Sequence, residues 1–422
     1  MTVSSGTNSA DLSTDIVAVP CGLYPGLESF SSEYGYDDYC NWIDQANGDP
    51  MPAPLVLYLQ DSAFGRVAEG TVNDSPLSER VDTILQELRL QGQLIDSDRP
   101  LQQFICAGAI AVEWADDQLY QLVCYLQEFF FIRRDCLSNW CVCLAQATLS
   151  RSRLRLLRVL GFSHLRITIR NRITSPVELE EAAAMICQAR QLGMERIGVD
   201  LILGGGEKSG LSPELQRFLV ASDPHRVQLI SGDEGYESAL NFLLSRQYEN
   251  VGFDWFVRPG DPWLQLKQDG RLHWSMLGFT SASAPDVIGV GPGAISSVCE
   301  FYGLHEENWD RYQQAIQQGR IPVMRGIELE ADDVLRREIM GMILAASRIS
   351  VGAIEEKWGI KFNDYFAREA GKLREFEKNR LVDWHGKDVV VLVRNRSALV
   401  ELCRLFYHQQ RVQHQHSESM HI

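Results

Sequence analysis

Short apolar runs alternate with amphipathic stretches along the chain from residue 54 onward. The runs have the aliphatic and β-branched content of buried strands, and they lie at 54–60, 103–109, 139–145, 164–169, 196–203, 226–230 and 250–257. Helices fit between them. Strand–helix alternation at this interval predicts βαβ units and a parallel sheet, either open or closed into a barrel.

Three serine–proline pairs predict where helices start in this first part of the chain. Ser75, Ser175 and Ser212 are each followed by proline, which suits the first helical position after an N-cap serine. Ser175 also has Glu178 three residues later, which is the spacing of a capping box. Each pair therefore predicts a helix on the carboxyl side of a strand.

Helical periodicity dominates past residue 300. The predicted helices are 306–318, 331–345, 351–358, 362–378 and 396–410. A short strand pair, 381–384 and 388–392, flanks His385 and Gly386. Helices followed by a small β-hairpin predict a winged-helix-like C-terminal domain. The predicted division is an acidic extension at 1–50, alternating strands and helices at 51–300, which the resemblance given below implies to be a barrel, and a helical domain at 301–422.

Charge narrows the range of partners. The 422 residues carry a net charge of −16, and residues 1–50 hold eight acidic residues with no Lys or Arg. An acidic surface opposes binding to nucleic acid or to a membrane surface, which both need a basic face, although a winged helix would suit DNA. No bilayer-length apolar run and no signal-peptide pattern occur, so we expect a cytoplasmic protein.

The one cationic patch lies at residues 151–172, which hold seven arginines and no acid. Arg166, Thr168 and Arg170 fall on one face of a strand, and the first four arginines fall on the preceding helix. One interpretation is a solvated helix face that pairs with the acidic N-terminus. The other is an anion site for the carboxylates of a ligand or an acidic partner, since arginine forks suit carboxylates.

Three further groups of residues each have a structural and a functional interpretation. Cys136, Cys141 and Cys143 are either small buried side chains or an incomplete metal site. Asp200 and the glycines that follow it, Gly204 and Gly205 among them, form either a turn or a ligand loop. The histidines of the C-terminal tail form either an exposed tail or a weak metal or haem site; they include His408, His414 and His416.

The C-terminal half resembles the oxygen-independent coproporphyrinogen III oxidase family. The matching stretches are 252–259, 277–280, 289–296, 322–337, 354–359 and 362–366, with weaker matches at Tyr58, 157–162 and 198–204. The resemblance implies a radical-SAM type of partial (β/α) barrel with a helical C-terminal domain. It also implies a [4Fe–4S] cluster held by a CxxxCxxC motif just after the first strand, with S-adenosylmethionine on the fourth iron.

At the cluster positions implied by the resemblance, the chain has Phe64, Ala68 and Thr71 instead of cysteines. The nearest cysteine, Cys40, precedes the strand. Of the family's S-adenosylmethionine contacts, the resemblance leaves Tyr58 and Asp200 in place. The sequence thus favours the prediction that no cofactor is needed and that an iron–sulfur cluster and S-adenosylmethionine are unlikely.

The resemblance and these replacements together predict a non-catalytic member of the family. It would bind a tetrapyrrole, a haem or a partner protein in porphyrin metabolism, with Tyr58, Asp200, Arg166, Arg170, Gly204 and Gly205 as ligand-binding candidates. The first alternative is an enzyme with residual or altered oxidase chemistry on a porphyrinogen. The second is a structural or regulatory subunit of a larger complex.

Overall fold

The structure is a computed structural model. It describes residues 23–61, 76–132, 139–145, 148–171, 174–203, 210–231, 235–281, 285–393 and 396–408. No helix within these ranges is long and apolar enough to cross a membrane.

A mixed sheet forms the centre of the protein. Its strands are β1 Leu55–Gln60, β2 Leu101–Ala107, β3 Trp140–Ala145, β4 His164–Arg170, β5 Arg196–Leu203, β6 Arg226–Ser231, β7 Glu249–Gly252 and β8 Trp255–Val257. A hairpin of β9 His273–Ser275 and β10 Gly278–Thr280 stands apart, and β11 Asp286–Val290, β12 Ile295–Val298, β13 Phe301–His305 and β14 Val323–Glu328 complete the sheet.

The strand order is β14-β13-β12-β11-β1-β2-β3-β4-β5-β6-β8-β7. Strands β1 to β6 are parallel to one another, and β11 is parallel to β1. The prediction of an α/β parallel sheet is confirmed. The sheet continues past residue 300 to Glu328, while the predicted domain boundaries themselves stay a prediction.

The helices of this part of the protein pack mainly on one face of the sheet. They are α1 Tyr36–Asn47, α2 Leu77–Leu94, α3 Ile110–Glu113, α4 Asp116–Phe129, α5 Arg151–Val159, α6 Pro176–Gln191, α7 Pro213–Ser222, α8 Tyr236–Ser245, α9 Pro262–Gln268 and α10 Trp309–Gln317. A core of aliphatic and aromatic residues lies between these helices and the strands.

Two of the three predicted helix starts have the expected cap. The Ser175 Oγ accepts from the Glu178 backbone N–H at 3.3 Å, and the Glu178 carboxylate accepts from the Ser175 N–H at 2.7 Å. The Ser212 Oγ accepts from the Leu215 N–H at 3.1 Å. Ser75 lies outside the described residues, and α2 begins at Leu77, one residue later than the pair predicts.

The C-terminal part has its own core. Helices α11 Ala331–Ala346, α12 Val351–Trp358, α13 Phe362–Tyr365, α14 Ala367–Lys378 and α15 Arg396–Arg404 pack with a small sheet of β15 Arg348–Ile349, β16 Val382–His385 and β17 Asp388–Val391. The predicted helix 362–378 is divided at Phe366, where φ is −104° and ψ 41°. Helices with a small antiparallel sheet are what the sequence predicts for this region.

Candidate functional site: a polar network on the inner face of the sheet

The face of the sheet turned away from the α2–α8 helices is called the inner face here. Along a strand, alternate side chains share a face, and the parallel register brings polar residues of neighbouring strands to one level. Cys143 aligns with Arg166, and Asp200 aligns with Gln228. Asp200 pairs in register with Thr168, which lies two residues after Arg166 on β4. The inner face therefore concentrates charge on β4, β5 and β6.

Arg166 holds this network together. Its Nε lies 2.6 Å from the Asp200 Oδ2 and 2.8 Å from Oδ1, and its Nη2 donates to the Gln228 Oε1 at 2.6 Å. Its guanidinium carbon lies 4.9 Å from the centroid of the Trp255 ring. A cation so close to an aromatic face and a carboxylate is well stabilised.

Burial changes the pKa values of Asp200 and Arg166. Asp200 is 4% exposed, and this burial raises its pKa, although Arg166 acts in the opposite direction. Burial also disfavours the charged guanidinium, but Asp200 outweighs it, so the pKa of Arg166 is raised. Because the arginine stays charged, Asp200 is retained as its counter-ion.

Two thiols lie beside this ion pair. Cys141 and Cys143 project from the same face of β3, and their Sγ atoms are 3.9 Å apart. A hydrogen bond from Cys141 lowers the pKa of Cys143, and Arg166 acts in the same direction against burial. The pKa of Cys141 is raised by the same hydrogen bond and by burial. Cys136 lies outside the described residues, so the predicted three-cysteine group is placed only in part.

Tyr58 and Asp61 are placed by the end of β1. Tyr58 is 5% exposed, and burial raises the pKa of its hydroxyl, with Cys143 and Arg166 close enough to influence it. Asp61 follows the strand and is fully buried. Its Oδ2 accepts from the Arg80 Nη2 at 3.0 Å. Burial raises the pKa of Asp61, although Arg80 lowers it.

A second ion pair lies nearer the amino end of the strands. Arg226 donates from Nε and Nη2 to the two carboxylate oxygens of Asp261, each at 2.9 Å, and its guanidinium carbon lies 3.5 Å from the centroid of Trp263. Burial and the nearby Arg226 lower the pKa of His164 to about 3. A histidine held neutral next to this pair cannot add a positive charge at physiological pH.

The other predicted site residues are placed as follows. Arg170 ends β4, where the carboxyl ends of parallel strands usually bind ligands. His408 lies with its Nε2 3.6 Å from the Asp332 Oδ2, and its backbone N–H donates to the Tyr24 hydroxyl at 3.1 Å. Seven predicted positions lie outside the described residues: Phe64, Ala68, Thr71, Gly204, Gly205, His414 and His416. Their roles stay predictions.

Two arginines on the helix of the cationic patch have partners among the described residues, whereas residues 1–22 of the acidic N-terminus lie outside them, so the pairing with the N-terminus stays a prediction. Arg153 lies 2.9 Å from the Asp116 carboxylate and also donates to the Trp114 carbonyl. Arg158 donates to the Gly193 carbonyl at 3.0 Å. These partners come from the neighbouring βα units, because α5 packs beside them in the helical layer.

Sequence reasoning missed Gln228 and Trp255 as members of the network. Both fall in predicted strands, and Gln228 aligns directly with Asp200 in the next parallel strand. Counting polar residues at matching levels of adjacent strands would have found Gln228. No local signal identifies Trp255, since its ring reaches Arg166 only after β8 pairs antiparallel with β6.

Comparisons with known proteins place this fold. No protein-family model matches the sequence. The solved structure titled "Coproporphyrinogen III oxidase (HemN) from Escherichia coli is a Radical SAM enzyme" superposes with a TM-score of 0.78 at 23% identity, covering 92% of this chain and 96% of that one. The chain thus has the fold of a radical SAM enzyme, a mixed α/β sheet with a helical C-terminal region.

The names of the curated homologues point to one enzyme family. They are named oxygen-independent coproporphyrinogen III oxidase. The Salmonella typhimurium protein is 25% identical over 77% of this chain and 78% of its own length. The Helicobacter pylori J99 protein is 23% identical over 86% and 88%, and the Synechocystis protein is 22% identical over 91% of both. The resemblance seen in the sequence is confirmed.

These comparisons correct one expectation. We predicted that an iron–sulfur cluster and S-adenosylmethionine are unlikely. That prediction is wrong, because the homologues and the protein of the same fold are radical SAM coproporphyrinogen oxidases, a class that uses both. Clusters are held by cysteine thiolates. The described ranges contain no group of three or more His, Cys, Asp or Glu side chains that could hold a metal ion, so they do not supply a cluster site.

Proposed function

We propose that the protein binds a tetrapyrrole related to coproporphyrinogen III at the inner face of the sheet, and that it acts by binding the tetrapyrrole rather than converting it. The homologues' name supplies the ligand class. Arg170, at the carboxyl end of β4, supplies a fork suited to a propionate.

The observation that carries the proposal is the pairing of Asp200. A group that transfers a proton must come within hydrogen-bond reach of the substrate. Both oxygens of the Asp200 carboxylate lie within 2.8 Å of the Arg166 Nε, and Gln228 is bonded to the same guanidinium. Arg166, Asp200 and Gln228 thus satisfy one another. Such a network fixes the shape of a binding surface and leaves Asp200 poorly placed as a base.

The alternative function is turnover of a porphyrinogen, which the homologues' name favours. The test therefore supplies everything that a radical SAM enzyme needs. The protein is treated anaerobically with iron and sulfide, S-adenosylmethionine and a reductant are added, and coproporphyrinogen III consumption is followed by chromatography. We expect no consumption above the protein-free control. Consumption with multiple turnovers would overturn the binding-only proposal.

Binding itself is measured by quenching of protein fluorescence with coproporphyrin III and, separately, with haemin. We expect saturable binding of one tetrapyrrole, weakened about tenfold in Arg170→Gln, since one charge-assisted pair contributes about 1.4 kcal/mol or more. Arg151→Gln is the matched control, because Arg151 is an exposed arginine in α5. Equal weakening in both variants would indicate non-specific attraction to positive charge.

A further inference from the structure

A cavity of about 430 Å³ lies beyond the end of β4, between the first turns of α6 and α7. Its polar lining is Arg170, Asn171, Thr174, Ser175, Ser212 and Glu214, and its apolar lining is Ile169, Pro176, Leu179 and Leu215. Ile169, Leu179 and Leu215 belong to the core between strands and helices. Apart from Arg170, which ends β4, the lining therefore lies on the helical side of the sheet, away from the inner-face network.

Asn171 is the unusual residue in this cavity. It is 5% exposed, and among the residues that the structure describes neither its Oδ1 nor its Nδ2 has a hydrogen-bond partner. Its backbone is fixed, because its N–H donates to the Ile202 carbonyl at 2.9 Å. A buried amide group without partners destabilises the folded state, because it has lost its hydrogen bonds to water. A ligand in the cavity that offers one donor and one acceptor would remove this cost.

The charges around the cavity have both signs. Helices α6 and α7, of 16 and 10 residues, direct their N-termini at it and so contribute partial positive charge. Arg170 adds a full positive charge. Glu214, in the first turn of α7, adds a carboxylate whose Oε1 also accepts from the Arg217 Nη2 at 3.0 Å. This negative charge disfavours a phosphate dianion.

We propose that this cavity binds a small zwitterion, an aminocarboxylate with a short apolar side chain. The carboxylate accepts from the Asn171 Nδ2 and lies toward Arg170 and the helix N-termini. The ammonium donates to the Asn171 Oδ1 on the side of Glu214. The apolar body packs against Ile169, Leu179 and Leu215. This site shares Arg170 with the proposed tetrapyrrole site, whereas Asn171, Glu214 and the apolar lining belong to the cavity alone.

The test uses ligand-observed NMR on the full chain with three probes of equal carbon number. Norleucine carries both charges, hexanoate carries only the carboxylate, and hexylamine carries only the ammonium. We expect saturable binding of norleucine and at least tenfold weaker binding of the other two. Equal binding of hexanoate and norleucine would refute the role of the ammonium, and absence of norleucine binding would refute the site.

Two variants localise the binding. Asn171→Leu removes the donor and the acceptor, and Glu214→Gln removes the negative charge from the first turn of α7. We expect each to weaken norleucine binding at least tenfold. Glu237→Gln, in the first turn of α8, is the matched control and should bind like the unmodified protein. If Asn171→Leu does not fold, Glu214→Gln decides; unchanged norleucine affinity in either folded variant would overturn the proposal.

Discussion

Removal of one partner from the Arg166–Asp200 pair should cost far more stability than removal of both. In Arg166→Met, Asp200 remains 4% exposed without a counter-ion. Breaking a buried pair in this way costs about 3–5 kcal/mol. About a quarter of the Arg166 side chain, 24%, is exposed, so water reaches the pair and we lower the expected loss to about 2–4 kcal/mol.

The double variant shows whether the loss of stability comes from an unpaired buried charge or from removal of the ion pair itself. In Arg166→Met with Asp200→Leu, no charge is left unpaired, because apolar side chains replace both partners. We expect a loss within about 1 kcal/mol of the unmodified protein, apart from the lost contact with the Trp255 ring, which is worth about 0.5–1 kcal/mol. The coupling energy between the two sites should exceed about 1.5 kcal/mol.

Urea unfolding followed by tryptophan fluorescence measures these free energies. Arg155→Met is the control, since Arg155 is exposed on α5 and should change stability by less than about 0.5 kcal/mol. The reasoning is refuted if the double variant loses as much as the sum of the two single variants. It is also refuted if Arg166→Met is as stable as the control.

The remaining predictions concern pH, caps and one close backbone approach. Burial raises the pKa of Asp200 above its usual 3.8. The folded state therefore binds the Asp200 proton more tightly than the unfolded state, and stability is lost as pH rises through the raised pKa. Arg166→Met should unfold at a lower urea concentration at pH 8 than at pH 5. Equal urea midpoints at the two pH values would contradict this. Ser175→Ala should lose about 1 kcal/mol in urea unfolding through its lost N-cap bond. Gly291→Ala, at φ +109° with its new Cβ 1.9 Å from the Gln60 carbonyl oxygen, should lower the thermal midpoint far more than Gly319→Ala. At Gly319, φ is +73°, and the new Cβ would meet no described atom within 4 Å apart from its chain neighbours.

The parallel strands were predictable because each is a continuous apolar run with helix signals on either side. Strand β5 has the predicted bounds, Arg196–Leu203. The predicted strand 250–257 is instead two strands, β7 and β8, because Asp254 has φ +58° and the chain reverses there. Arg396, 142 residues away, bonds the Asp254 carboxylate. No local pattern reveals a turn held by so distant a partner.

Strands β11 to β13 were not predicted as strands. Each has only four or five residues; a turn with two glycines separates β11 from β12, and only Cys299 and Glu300 separate β12 from β13. Their pairing depends on contacts such as that of Gly289, whose N–H donates to the Ser296 Oγ at 3.0 Å. Periodicity over four residues cannot distinguish such strands from loops, although the resemblance had already marked this stretch.

The sequence allowed us to name candidate residues of the site, but not which of them pair with one another. Asp200, Arg166 and Tyr58 were identified from the resemblance or from the charge pattern. The sequence indicated an arginine available to a ligand, whereas the structure pairs Arg166 with Asp200 at 2.6 Å. That contact depends on the register of β4 against β5, which no single strand encodes.

The central claim is tested most directly by one anaerobic sample that reports binding and conversion together. Iron- and sulfide-treated protein is mixed with S-adenosylmethionine, a reductant and an equimolar amount of coproporphyrinogen III, then passed through a desalting column. The tetrapyrrole in the protein fraction is identified by chromatography. We predict unchanged coproporphyrinogen III bound near one per chain; a converted tetrapyrrole, or none bound, would contradict the account.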